Sequence, residues 1–320
     1  MTMGHVQFTL HNSLARWEWT PFPIAVLVLV VLVGYWYLKS DWRLASSGRR
    51  WSTKRLVSFL LGLLTVDLAL QSPIATYTDS YFQAHVIQHL LLMVVAPALL
   101  ALGAPSTLLL QTSSRSIKTK WLSILRSRPF GFISHPVTVW GLYFGFMIVF
   151  FLTSLVNFAM EHMAVMDLIN ILFFFSGTLY WWPLVGIDPI VHWKMGYPGR
   201  MLNVLLGGPV ETWLGIAIIS MHRPIASMYN LYGTHAGGSI LWIATDFTAF
   251  VGFFPIFVQW FRSEERHAKR LDEIASRVQS PQDQRNSGET LEPKDPKDAS
   301  SYWEQVWLER TGKVPKNNSV

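Results

Sequence analysis

The chain has no cysteine. That removes disulfides, iron–sulfur clusters, thiolate zinc sites and cysteine nucleophiles at once. Any metal must be held by histidine, methionine, carboxylate or backbone oxygen. Charge is also scarce: 14% of the 320 residues are Asp, Glu, Lys or Arg, against 51% hydrophobic. No nucleotide-binding glycine loop and no GxSxG nucleophile elbow occurs. The start lacks the basic region and small-residue cleavage site of a signal peptide, so the first apolar run is expected to be retained. Alternating ten-residue strands are missing as well, which argues against a membrane β-barrel.

What remains is a series of apolar runs near spanning length. They fall at roughly 22–38, 56–76, 85–102, 136–156, 162–184, 201–221 and 239–261. Trp17 and Trp19 before the first run read as an interfacial anchor. The formal net charge of +6 sits in the connections between runs, so it reads as a topology signal and not as a nucleic-acid surface. Lys39, Arg43, Arg49, Arg50, Lys54 and Arg55 follow span 1, while 77–84 carries no Lys or Arg. Arg115, Lys118, Lys120, Arg126 and Arg128 follow span 3, and 157–161 is again free of them. Lys194 and Arg200 follow span 5, Arg223 alone follows span 6, and a strongly basic segment follows span 7. The alternation predicts an all-α, polytopic bundle of seven transmembrane helices with the N-terminus outside and the C-terminus cytoplasmic. The domain expectation is an extracytoplasmic segment 1–21, a spanning domain 22–262 and a charged tail 263–320. The tail is expected to be helix-forming over 262–278 and then largely disordered, with a short amphipathic stretch at 302–310.

Span 3 opens on His85 and His89, with Met93 following. Residues four apart lie above one another on a helix, so these three share a face. Imidazole and thioether together suit copper better than calcium or magnesium. The bland alternative is a pair of capping histidines and a methionine that fills a gap. Topology puts His5, His11, His85, His89, His162, His222 and His235 on the outer side, with Met160, Met163, Met166, Met221 and Met228 around them. His135, His192 and His267 fall inside.

Asp67, Asp167, Glu211 and Asp246 lie within spans. A charge near the bilayer centre costs about 2.5–3.5 kcal/mol, so such residues usually face the protein interior and act there. At about 1.5 Å per residue, all four are placed to converge below the span 3 histidines. The alternative is that some serve as helix–helix glue. Gly207-Gly208-Pro209 predicts a kink or break in span 6, and Pro97 should free the carbonyl of Met93.

The run from His85-Val-Ile-Gln-His89 through Pro97 to Gly103-Ala-Pro105 resembles the signature of the CtaG family, membrane proteins that assemble caa-type cytochrome c oxidase in bacteria. His135-Pro136, Gly177 to Pro189 and Thr234 to Trp242 with Asp246 are similar to it too. The resemblance covers roughly 20–262. It implies a chaperone of oxidase maturation in the bacterial plasma membrane, supplying copper at the outer face to oxidase subunits, and not an enzyme. Asn170-Ile171-Leu172 departs from the family pattern, where many members carry a histidine; some also carry one near Glu211.

Together these readings nominate His85, His89, His162, His235, Met93, Asp67, Glu211 and Asp246 as a copper site. The expected partners are oxidase subunits and the lipid bilayer, with no nucleic acid; self-association stays open. Three rivals stand beside this: a haem-binding membrane oxidoreductase with axial histidines, a proton- or metal-coupled transporter, and a scaffold that holds oxidase subunits together without metal.

Overall fold

The computed structural model describes residues 17–189 and 192–286, with side chains up to residue 274. Among the described residues there is no strand. The first helices are α1 (Pro21–Ser46), α2 (Thr53–Gln71), α3 (Pro73–Tyr77) and α4 (Phe82–Leu90). A π-helical turn (Leu91–Val95) leads to α5 (Ala96–Leu102) and α6 (Pro105–Thr112). Then come α7 (Arg115–Leu125), α8 (Arg128–Ile133), α9 (Pro136–Leu152) and α10 (Leu155–Glu161). Last are α11 (Met163–Val185), α12 (Tyr197–Ile219) and α13 (Leu231–Asn286). The first unit of the chain runs to Trp260, and residues from Phe261 form a second. In the second, the helix is charged and carries an exposed Lys269–Glu265 pair at 2.8 Å. The stretches 1–16 and 287–320, which include His5, His11 and the expected amphipathic segment, lie outside the described residues.

Six helices are long and apolar enough to cross a membrane, or seven if α9 and α10, bent by 75° at their junction, count as one span. The chain is a multi-pass membrane protein. Its outward surface confirms the solvent it is built for. Leu29, Val31, Leu32, Ile243, Phe247 and Phe250 are all more than half exposed, an arrangement that water would penalise and lipid would not.

Sequence signals set the breaks. Ser72 ends α2, and its hydroxyl then accepts the Ile74 N–H at 3.2 Å to start α3. His135 caps α9 in the same way, its Nδ1 accepting from Val137 N at 3.3 Å. Pro97 removes a donor from the helix after Met93. The chain answers with a wide turn, in which the Ala96 N–H reaches back to the Leu91 carbonyl. Gly177 of α11 sits directly against the Met93 carbonyl, where a Cβ would collide with it. The break expected at Gly207-Gly208-Pro209 does not occur: α12 runs unbroken from Tyr197 to Ile219 with Pro209 inside it. Gly207 packs directly against the Phe144 ring of α9, where a Cβ would collide with it.

The core is aromatic. Tyr143, Phe144, Phe150 and Phe151 of α9 pack with Phe173 of α11 and Phe82 and Val86 of α4, all essentially buried. This cluster surrounds the start of span 3.

Candidate functional site

His85 and His89 are 0% and 3% exposed. Their Nε2 atoms are 2.8 Å apart, so one proton is shared between them. The Nδ1 of His85 lies 3.1 Å from the Tyr229 hydroxyl, which donates to the Thr78 carbonyl at 2.7 Å. Tyr229 sits in the loop between α12 and α13. Burial, with Asp79 nearby, pushes its phenol up, so it stays a donor. These bonds assign the protons. Tyr229 gives its one proton to Thr78 and must accept from Nδ1–H of His85. His85 then presents a bare Nε2 that accepts from Nε2–H of His89. The remaining lone pair, on Nδ1 of His89, is buried and has no partner.

Aromatic rings wall this chain of bonds. Phe150 stacks on His85 with centroids 5.7 Å apart, and Phe173 lies 4.3 Å from His89. Phe151 and Phe82 close the remaining sides. A closed cavity of about 10 Å³, the space of one water at most, is bordered by His89, Met93, Met147, Tyr143, Thr245 and Glu211. Glu211 is 8% exposed, and the only ion pair among the described residues is Lys269–Glu265.

The structure thus brings His85, His89, Met93 and Glu211 together. It does not bring in the rest. His162 is exposed at the end of α10, its ring tilted against Phe158 at 4.4 Å and its Nδ1 2.9 Å from the Phe158 carbonyl. His235 is half-buried and holds the Met221 carbonyl through Nε2 at 2.9 Å. Asp246 is exposed and accepts from Thr212 at 3.1 Å, one residue past Glu211. Asp67 is half-buried on α2 with Oδ1 unpartnered. Asp167 is half-buried on α11. Asn170 is buried with Oδ1 unpartnered, and it borders an apolar groove between α1 and α11, not the cavity beside His89. Among the described residues no three His, Asp or Glu side chains gather as a metal-binding group.

Sequence reasoning missed Tyr229, Thr78, Met147 and the phenylalanine walls. Tyr229 carried a readable signal, a phenol in a short outer loop beside Met228. Thr78 contributes only its backbone, which leaves no trace in composition.

The family described as cytochrome c oxidase caa3 assembly factor matches residues 33–263. An uncharacterised protein of Mycobacterium leprae (strain TN) is 28% identical over 263 residues, covering 77% of this chain and 40% of the relative. Uncharacterised proteins of Mycobacterium bovis and Mycobacterium tuberculosis are each 27% identical over 285 residues, covering 83% of this chain and 42% of theirs. The chain spans about two fifths of the length of these curated relatives. No solved structure matches it. The match to the family extends over well more than half of the chain, and the chain belongs to the cytochrome c oxidase caa3 assembly factor family.

Proposed function

We propose that this family member assists assembly of a caa3-type cytochrome c oxidase in a bacterial plasma membrane by holding copper as cargo at His85 and His89. The orphaned lone pair of His89 carries the reading. Leaving a buried acceptor unsatisfied costs about 1–3 kcal/mol, and that cost persists where something else is meant to take the lone pair. Met93 and Met147 line the small cavity that His89 also lines. Two imidazoles with soft sulfur nearby and no thiolate suit copper, above all its reduced ion. Met93 and Met147 are the candidate sulfur donors, and the Glu211 carboxylate offsets the added positive charge in a low-dielectric setting.

Copper on the His89 Nδ1 lone pair leaves the Nε2–Nε2 bond to His85 in place, and because the imidazole must be neutral to bind it, loading weakens in acid. Tyr229 holds the His85 ring through Nδ1, as second-layer partners of metal ligands do. The phenylalanine walls exclude water, which protects a reduced ion from oxidation. The same walls disfavour the haem reading, since a cavity of about 10 Å³ leaves no room for a macrocycle. The family's role is assembly, which suggests a non-catalytic protein.

The alternation of basic loops supports an N-terminus outside and a C-terminus inside. Thr78, Tyr229 and the start of α4 then lie at the extracytoplasmic end, where copper arrives and leaves. The oxidase subunits are the client, and a second copy of this chain remains compatible with the exposed apolar surface.

Two measurements test this. Full-length protein purified under reducing conditions should bind about one copper per chain, and His85→Ala/His89→Ala should bind close to none. Membranes of a strain lacking the protein should have low oxidase activity, restored by the wild type and not by the double variant. Equal copper in both proteins would remove the pair as ligands; full oxidase activity in the deletion strain would end the assembly reading.

A further inference from the structure

The stretch Gly186-Ile187-Asp188-Pro189, singled out in the sequence, has no part in the copper reading. It lies at the other end of the bundle, after α11. Gly186 takes a left-handed φ of +62°, and the guanidinium of Arg200 lies flat against it, where any Cβ would collide with Cζ and both Nη atoms. Glycine is therefore required twice at this position, for the backbone and for the approach.

Arg200 is only 8% exposed. Its Nε donates to the Met195 carbonyl at 3.1 Å, and its plane faces the Tyr197 ring at 5.7 Å. Among the described residues no carboxylate pairs with it, and its terminal nitrogens have no hydrogen-bond partner. The guanidinium plane is fixed by packing while its terminal nitrogens are left without a carboxylate, and a fork held in this way suits an anion.

The space in front of it is a cavity of about 600 Å³ bordered by Thr107, Gln111, Gly186, Asp188, Lys194 and Arg200. The one carboxylate on this wall is already spent. Asp188 accepts from Ser106 N at 3.0 Å, Thr107 N at 2.7 Å and Thr107 Oγ1 at 2.6 Å, closing the N-terminus of α6. Gln111 accepts from Arg49 at 3.2 Å through Oε1, which leaves its amide N–H groups as donors. A planar fork, a point charge and a neutral amide donor thus line one cavity, from α12, the loop before it and α6.

We propose that this cavity binds a phosphate group, presented by an anionic membrane lipid or by free inorganic phosphate. The fork of Arg200 takes two phosphate oxygens side by side, and Lys194 takes a third. The cavity stands at the end of one membrane-spanning helix and the start of the next, which is headgroup level. The inference is independent of the copper site.

The test uses the full chain, stripped of lipid in neutral detergent. Binding of dioleoylphosphatidylglycerol and of dioleoylphosphatidylcholine is followed by native mass spectrometry. Thermal stability is followed with inorganic phosphate against chloride at matched ionic strength. Retention of phosphatidylglycerol over phosphatidylcholine, weakened about tenfold by Arg200→Gln and a few-fold by Lys194→Gln, supports a lipid headgroup. Stabilisation by inorganic phosphate with the same variant response, and no lipid preference, supports the same site with free phosphate as its occupant. No binding of either, or binding that both variants leave unchanged, overturns the proposal. Should Arg200→Gln fail to fold, Lys194→Gln decides alone, because the Lys194 side chain is exposed.

Discussion

The two ends of the span that runs from Phe82 to Thr112 handle buried polar groups in opposite ways. At the His85 end the groups are neutral, bonded in series and sealed by phenylalanine, and what is left over is a lone pair. At the Ser106 end a carboxylate is fully used, and what is left over is a cation facing a cavity some sixty times larger than the one beside His89. Burial alone distinguishes neither end. The kind of group left unsatisfied does: a bare lone pair calls for a cation or a proton, and a bare guanidinium calls for an anion.

The sharpest way to separate the ends is to damage one through the backbone. Gly177 meets the Met93 carbonyl, which Pro97 and the π turn have freed. Gly177→Val should push the π turn away from α11, at about 3 kcal/mol, typical of the upper range for overpacking. Copper binding should fall with it, while retention of an anionic lipid by the folded fraction should not change. Thermal unfolding in detergent together with copper content reads both. Loss of lipid retention in step with copper would show that the ends are one coupled unit.

Tyr229→Phe is the next largest step. It leaves His85 Nδ1–H without an acceptor and the Thr78 carbonyl without its donor. The stability cost should be about 1–3 kcal/mol. The more telling effect is on copper affinity, expected to drop about 10–100-fold because the His85 ring is no longer held in one tautomer. A competition titration with a reduced-copper chelator measures this. Unchanged affinity would mean that the hydrogen-bonded chain is packing only.

How much of this was legible in the sequence depends on the distance between partners along the chain. His85, His89 and Met93 are near neighbours on one helix, so their common face followed from spacing alone. The apolar runs gave the spanning helices because lipid demands long unbroken ones. The partners of those residues were hidden. Tyr229 is 144 positions from His85, and Asp188 is 82 from Ser106. Such pairs depend on how helices dock, which no local pattern carries. The same holds for the acids. A carboxylate in a span was expected to point inward, and Glu211 does, but Asp246 lies exposed with Thr212 as its donor. Gly207 was read as a breaker beside Pro209, whereas its role is to admit the Phe144 ring.

Asp188→Asn probes the second end with a smaller and pH-dependent effect. The amide keeps one acceptor where three hydrogen bonds now fall, so about 1–3 kcal/mol should be lost. Burial raises the Asp188 carboxyl above its ordinary 3.8, and the bonds from Thr107 and Ser106 only partly oppose it. A carboxyl raised on folding favours the folded state fully below the unfolded value, and that share is lost as pH rises through the folded one. The stability gap between wild type and Asp188→Asn should therefore narrow as pH increases from about 4. A gap that widens instead would mean that the hydrogen bonds outweigh burial.

The smallest effect belongs to His162→Ala, and its smallness is the point. His162 was a sequence candidate for the copper site because it opens a span on the same side as His85. It is exposed, and its ring is tied to the preceding turn through the Phe158 carbonyl and the Phe158 face. No aromatic wall excludes water from it, so nothing raises the worth of its nitrogen to a metal above that of any surface histidine. Stability should change by no more than about 0.5 kcal/mol, as for most surface substitutions. Copper per chain should stay at the wild-type value within error. A fall in stoichiometry here, with His85→Ala/His89→Ala still loading, would move the cargo site from the sealed pair to the membrane surface and reverse the contrast between the two ends.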